Sequence, residues 1–224
     1  MAQAQTQEFH LTTPLSAQAL RGLKAGDVVY LTGPVFTARD GVYKHMLVEG
    51  HEPPIDLRAL TNVSFQSAPA GVEVSPGKYE VSSFQATAGF RYAQYMPALL
   101  ERYGVKAVVG KAGMSEELYR DVFKKQGAVC LSTMGYGLGA MYGKAVERVR
   151  DVFWVEELGI SEALWILDVK ELGPLLVEGD AQGNSYFSEV NRQINAQLGD
   201  LYKGLEPPVY RRIGEEQRPE NELF

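Results

Sequence analysis

The stretch GDVVYLTGPVFTARD, residues 26–40, decides how this chain folds. Its first part, DVVYLTG, is rich in β-branched and aromatic residues and reads as a buried strand, because side chains of that shape pack well on a pleated surface. The strand turns into a loop at Gly33 and Pro34, and the loop sets Thr37, Arg39 and Asp40 side by side. Two readings fit an arginine beside an aspartate at a strand end: a surface turn closed by a local ion pair, or an anion-binding corner of an active site. The stretch alone leaves both open.

Upstream, Ser16 precedes a short apolar-periodic segment, which predicts a capped helix stopped by Gly26 and Asp27. Downstream, KHMLVEG reads as a short helix ended by Gly50, and residues 61–85 alternate β-like pieces with Pro and Gly turns, the pattern of adjacent strands. QYMPALLERYG spaces Met96, Leu99, Leu100 and Tyr103 as one helix face, with Gly104 just past its end. VKAVVG and AVCLST read as buried strands. Between them Ser115 caps a helix with Glu116 and Glu117 in its first turn and Lys124 and Lys125 in its last, the arrangement that complements a helix dipole. GYGLGAMYGKAVERVRDV reads as a Gly-rich turn into a helix, and EALWILDVKELGPLLVEGDAQGN as two strands with a hairpin-type turn at DAQGN. Alternating α and β segments argue for a layered α/β domain. A further helix follows Ser188, and the polar tail from Glu206 reads as a disordered end or an arm on a partner.

Net charge is −6 with a pI near 5.2 and no run of lysine and arginine, which argues against nucleic acid or an anionic membrane as partner. No stretch of about 18 apolar residues could span a bilayer. The start, MAQAQTQEFH, lacks a basic flank and apolar run, so the expected location is cytoplasmic. One cysteine, Cys130, cannot hold an iron–sulfur cluster or a thiolate zinc site. The three histidines, His10, His45 and His51, lack H-x-x-x-H spacing. No metal site is therefore expected, and His45 and His51 read as exposed loop residues.

Three strand-end loops combine small residues with polar ones: TARD, with Thr37, Arg39 and Asp40; ATAGFRY, with Thr87 and Arg91 around Gly89; and VVGKAGMS, with Lys111 between Gly110 and Gly113. Ligands of α/β sheets gather at such loops. G-x-x-x-x-G-K-[ST] is absent, which rejects a nucleotide P-loop. Two arginines and a lysine suit a small dianion, because a guanidinium fork grips a carboxylate bidentately while an ammonium adds compact charge. A threonine hydroxyl near such cations could take a proton-transfer role. Taken singly, Arg39, Thr87 and Lys111 also read as a turn ion pair, a turn hydroxyl and a solvated lysine. GYGLGA could surround an anion with N–H groups or serve close helix–sheet packing. Cys130 reads as a small core residue.

Taken in order, these loops resemble a known pattern. GDVVYLTGPVFTARD resembles the GD.v.ltG.i.taRD opening of the β subunit, or C-terminal domain, of class I fumarate hydratases and L(+)-tartrate dehydratases. ATAGFR at 86–91 stands where that family has PTT..RM, GKAGMS at 110–115 is similar to GKGgm, and residues 159–184 are similar to g.EAiw.ieV.dfP..V..D..Gn. The resemblance implies a swivelling β/β/α fold over residues 26–187, with 1–25 an extension carrying a short helix and 188–224 a C-terminal helix and tail. It implies a β subunit of a heteromeric iron–sulfur hydro-lyase acting on a small dicarboxylic hydroxy acid, fumarate/malate or tartrate/oxaloacetate. The [4Fe–4S] cluster is expected on a separate α subunit in an α2β2 assembly, and no cofactor on this chain. By motif position Arg39 and Arg91 would bind carboxylate, Lys111 would orient substrate and offset negative charge, and Thr87 would be the base.

The family's GPTT is QATA here, so Gln85, Ala86 and Ala88 replace Gly, Pro and the second Thr, while the spacing of Thr87 and Arg91 survives. ARDAAHK is ARDGVYK, with Tyr43 in place of the common histidine and His45 two residues on. These departures admit two alternatives: a hydro-lyase for an unusual substituted hydroxy acid, or a non-catalytic binding or regulatory subunit of the same fold.

Overall fold

Successive residues of the buried strands point into two separate cores. In the computed structural model, which describes residues 6–135 and 137–204, the strands are β1 Glu8–Thr12, β2 Val28–Thr37, β3 Val63–Phe65, β4 Ser67–Ser75, β5 Lys78–Ala86, β6 Ala107–Gly110, β7 Val129–Thr133, β8 Val146–Phe153 and β9 Leu164–Gly179. Ala107 and Val109 of β6, Val129 and Leu131 of β7, and Trp165 and Leu167 of β9 enter one core. Their neighbours Val108, Cys130, Leu164 and Ile166 enter the other. A strand buried on both faces needs a nearly continuous apolar run, which is what AVV, VCL and LWIL supply.

The main sheet runs β1-β2-β3-β6-β7-β9-β8, and β9 pairs back onto β2. Strands β2, β3, β6, β7 and β9 therefore close into a ring. The links β2–β3, β3–β6 and β6–β7 are parallel, and β9 is antiparallel to both β7 and β2. The fold class is α/β with a barrel-like sheet. The first core lies on the ring's inner face. The second lies under the segments 40–48, 89–103 and 116–126, through Val42, Tyr43, Met96, Leu99, Tyr119 and Phe123. β4 and β5 form a separate antiparallel hairpin, packed through Phe84 against Phe65 with ring centroids 4.2 Å apart.

Several expected elements hold. Ser16 caps the helix Ala17–Gly22 by accepting from Ala19 N at 3.1 Å. Ser115 caps Glu116–Leu118 in the same way, accepting from Leu118 N at 3.3 Å. Gly127 ends that helical run in the left-handed conformation, φ 59°. The helix Met96–Arg102 buries Met96, Leu99 and Leu100.

Others are corrected. β2 does not stop at Gly33 but continues through Pro34 to Thr37, because its second half pairs with β9 from Gly33↔Val169 to Phe36↔Ile166. KHMLVEG is a π-helical turn, Lys44–Val48, extending a helix that starts at Asp40. The helix expected over 135–152 is confined to Gly139–Lys144, and Val146–Phe153 is the strand β8, paired antiparallel with β9. The two strands expected after Glu162 are the single strand β9, and DAQGN is a turn into the helix Tyr186–Leu201 rather than a hairpin. In that turn Asp180 accepts from the backbone N–H of Gln182 and Asn184, both at 2.9 Å. Near the start of the chain, β1 lies parallel to β2 with Glu8 opposite Val28.

Residues up to Phe187 form one compact unit, and a second begins at Ser188. The tail from Glu206 lies outside the described residues. No helix among the described residues is long and apolar enough to cross a membrane.

Candidate active site

The parallel strands β2, β3, β6 and β7 deliver their carboxyl ends to one rim, and backbone hydrogen bonds tie the predicted loops together there. Ala38 N donates to Phe65 O at 3.0 Å, and Gln66 N to Val109 O at 2.7 Å. The segment after β5 is strapped in between: Thr87 N donates to Gln66 O at 2.6 Å, Lys111 N to Thr87 O at 3.0 Å, and Gly89 N to Lys111 O at 3.2 Å. Residues 21 positions or more apart in sequence thus become neighbours. This close approach depends on glycine, since a Cβ on Gly89 would lie 2.5 Å from Lys111 O and one on Gly110 would lie 2.4 Å from the Gln66 amide oxygen.

The arginines are paired across loops, not within them. Arg39 Nη1 lies 3.0 Å from Glu162 Oε1, with both side chains about three-quarters buried. The other Glu162 oxygen accepts from Gly41 N at 2.9 Å. Asp40 pairs with Arg91 at 2.5 Å, and this pair is half exposed. The local Arg39–Asp40 ion pair considered from the sequence is therefore replaced by Arg39–Glu162 and Asp40–Arg91. Arg91 also lies over the Tyr92 ring, 5.6 Å from its centroid. Burial raises the Tyr92 phenol, a shift that the Arg39 guanidinium opposes. Arg39 Nε is buried without a hydrogen-bond partner, so the guanidinium retains donor capacity.

Lys111 borders a cavity of about 270 Å³ that is also lined by Ser132, Thr133, Met134 and Leu176. The loop after Lys111 is anchored from below. Glu178 Oε1 on β9 accepts from Gly113 N at 3.0 Å and from the Tyr119 hydroxyl at 2.6 Å. Burial raises the Glu178 carboxyl above its ordinary range, and these hydrogen bonds partly offset the shift.

All four predicted site residues thus lie on one rim: Thr87 and Lys111 joined through backbone, Arg39 and Arg91 linked through adjacent residues 39 and 40. Thr37 does not belong to the site. It is buried, and its hydroxyl accepts from Trp165 N at 3.2 Å. In the GYGLGA stretch Gly139 serves close packing, since a Cβ there would lie 2.4 Å from Ser83 Oγ, and just beyond the stretch one on Gly143 would lie 2.6 Å from Ser82 O. Cys130 is a buried core residue. His45 is not an exposed loop residue: its side chain is 13% exposed, and its ring stacks on His51 at 3.9 Å. The supporting roles of Glu162, Glu178 and Gln66 escape sequence reasoning. Only the first two fall in a stretch whose pattern could have flagged them.

A family model described as Fumarase C-terminus matches residues 1–190. The chain belongs to this family. It is 33% identical over 190 residues to a protein of Methanocaldococcus jannaschii provisionally named L(+)-tartrate dehydratase subunit beta, covering 84% of this chain and 95% of that one. It is 34% identical over 190 residues to the L(+)-tartrate dehydratase subunit beta of Escherichia coli, covering 85% and 91%. A Geobacillus stearothermophilus protein provisionally named class I fumarate hydratase is 31% identical over 182 residues, covering 81% of this chain but 34% of that one. The Fumarase C-terminus match takes in the ring, its rim and the loops carrying Arg39, Thr87, Arg91 and Lys111.

Proposed function

We propose that this chain is the β subunit of a hydro-lyase that reversibly adds water to, or removes it from, a small dicarboxylic hydroxy acid of the fumarate/malate or tartrate/oxaloacetate type. The observation that carries the reading is the Thr87–Lys111 strap on a rim that also presents Arg39 and Arg91. In this reading the two guanidinium groups hold the substrate's carboxylates, for which their planar forks are suited. Thr87 Oγ1 takes the proton from the carbon next to a carboxylate. Lys111 offsets the negative charge that builds there and favours the threonine alkoxide. Loss of that proton and of hydroxide from the adjacent carbon forms the double bond, and hydration runs the same path backward.

Departure of hydroxide calls for a Lewis acid, the chemistry that a [4Fe–4S] cluster supplies. This chain's residues do not fit such a group, because its one cysteine is buried in β7 against Tyr119 and Glu178, whereas a cluster takes several thiolates. The cluster therefore belongs, in this reading, on an α subunit. An α2β2 assembly in the cytoplasm, with residues 26–187 as the swivelling β/β/α domain, completes the proposal. The cavity beyond Lys111, together with Gln85, Ala86 and Ala88, supports a substituted hydroxy acid as a variant substrate, since Ser132 and Thr133 could meet an added polar group.

The test is anaerobic co-expression with an α subunit bearing three separated cysteines, followed by assays of fumarate absorbance and oxaloacetate release. Turnover is expected from the pair and not from this chain alone. An assembled complex with intact cluster that turns over none of these acids would refute the reading.

A further inference from the structure

Away from the rim, the turn that follows the π-helical segment Lys44–Val48 gathers three side chains able to bind a metal ion. His45 Nδ1 lies 3.0 Å from Glu49 Oε2, and His51 Nε2 lies 3.9 Å from the same oxygen. All three donor atoms fall within 4.8 Å of one another. Donors around a four-coordinate zinc-type ion, with bonds of about 2.1 Å, stand roughly 3.4 Å apart. The two distances to Glu49 bracket that spacing, and the remaining one closes by rotation of His51, whose side chain is 57% exposed.

The arrangement is held rather than accidental. Gly50, at φ 80°, turns the chain back, and His51 N donates to His45 O at 3.0 Å. The Trp154 indole meets the His45 ring edge-on at 4.7 Å, and Trp154 itself sits at φ 63°, a conformation that costs energy for a bulky residue. Lys44 Nζ lies 3.4 Å from Glu49 Oε1, the oxygen not facing the histidines. This fixes the carboxylate with Oε2 toward the two rings.

We infer that His45, Glu49 and His51 form a binding site for a divalent transition-metal ion of the zinc type. Two imidazole nitrogens and one carboxylate oxygen are the donor set such ions favour over magnesium or calcium, and three protein ligands leave a position for water or an external ligand. The inference departs from the sequence expectation of no metal. The spacing H-x-x-x-E-x-H falls outside the pattern sought there, and the turn at Gly50 is what brings its ends together. The inference does not depend on the proposed reaction, since none of the three residues takes part in the backbone ties or ion pairs of the rim.

Zinc titration of the tag-free, chelator-stripped full chain by calorimetry tests it. One ion per chain is expected, with affinity reduced about tenfold or more in both His51→Ala and Glu49→Gln. His10→Ala, remote from the turn, should leave it unchanged. Cobalt substitution should give the visible absorption of a four-coordinate ion. Because His45 packs on Trp154, its replacement could disturb the fold, so the exposed His51 carries the decision. Zinc binding that persists unchanged in a His51→Ala, Glu49→Gln double variant, or no binding by the wild-type chain, would overturn the assignment.

Discussion

Glu178 receives the Tyr119 hydroxyl at 2.6 Å directly under the loop that carries Lys111. The oxygen that accepts this bond also accepts from Gly113, while Oε2 is buried and unpartnered. A carboxyl in such a place favours its protonated form, and burial raises its pKa above the ordinary 4.5. The stability it contributes is therefore full below about 4.5 and is lost as pH rises through the higher folded value. Glu178→Gln keeps an acceptor for both donors and cannot ionise. The melting temperature of the wild type should fall relative to this variant as pH rises above 4.5, then run parallel beyond the folded pKa. Parallel curves across the whole range would count against a raised carboxyl.

Thr87 is held by its backbone N–H and carbonyl, so its hydroxyl can be removed without untying the strap. In the assembled enzyme Thr87→Ala should lower kcat by about 10²–10⁴-fold, the range for losing a general base. Thr87→Ser should retain much of it, and neither should shift the melting temperature appreciably. A fully active Thr87→Ala enzyme would instead favour another base.

Arg39 and Glu162 are partly buried partners. Arg39→Lys keeps the charge but loses the fork, so kcat/KM should fall by about tenfold to a hundredfold, a loss of roughly 1.4–2.8 kcal/mol. Stability should change by about 1 kcal/mol, the net worth of a hydrogen bond, because lysine keeps a charge opposite Glu162 and leaves no buried carboxylate unpaired. Steady-state kinetics and urea melts on the same preparations separate the two effects.

Gly89→Ala forces a methyl against the Lys111 carbonyl, 2.5 Å away. The backbone must part there, at a cost of about 1–3 kcal/mol, and Lys111 should lose its place. The variant should melt lower and lose activity together. Gly77→Ala, with no atom within 4 Å but φ at 72°, should cost stability alone.

The parts of the fold that could be read from sequence are those with local causes. Ser16 and Ser115 announce helices because a hydroxyl before a periodic run satisfies a free N–H, and AVV and VCL announce strands buried on both faces. The sequence suggests a helix over β8 because Val146, Val149 and Val152 recur every third residue among good helix formers, whereas pairing with β9 decides the outcome. It also suggests two strands where β9 runs unbroken, with Gly173 and Pro174, residues that usually punctuate a strand, inside it. At the site the identities of Arg39, Thr87, Arg91 and Lys111 were legible, but not their partners. Asp40 and Arg91 are 51 residues apart, and Arg39 reaches 123 residues along to Glu162. No local signal joins such pairs; only closure of the ring does.

That closure also sets an order in time. β2 is made early, yet its antiparallel neighbour β9 ends at Gly179. During synthesis the parallel strands β2, β3, β6 and β7 can associate while two edges of the growing sheet remain open, and open edges invite pairing with other chains. The nascent chain is thus most vulnerable before β9 is free to pair. A chain that ends at residue 163, before β9, should therefore aggregate more than the full chain.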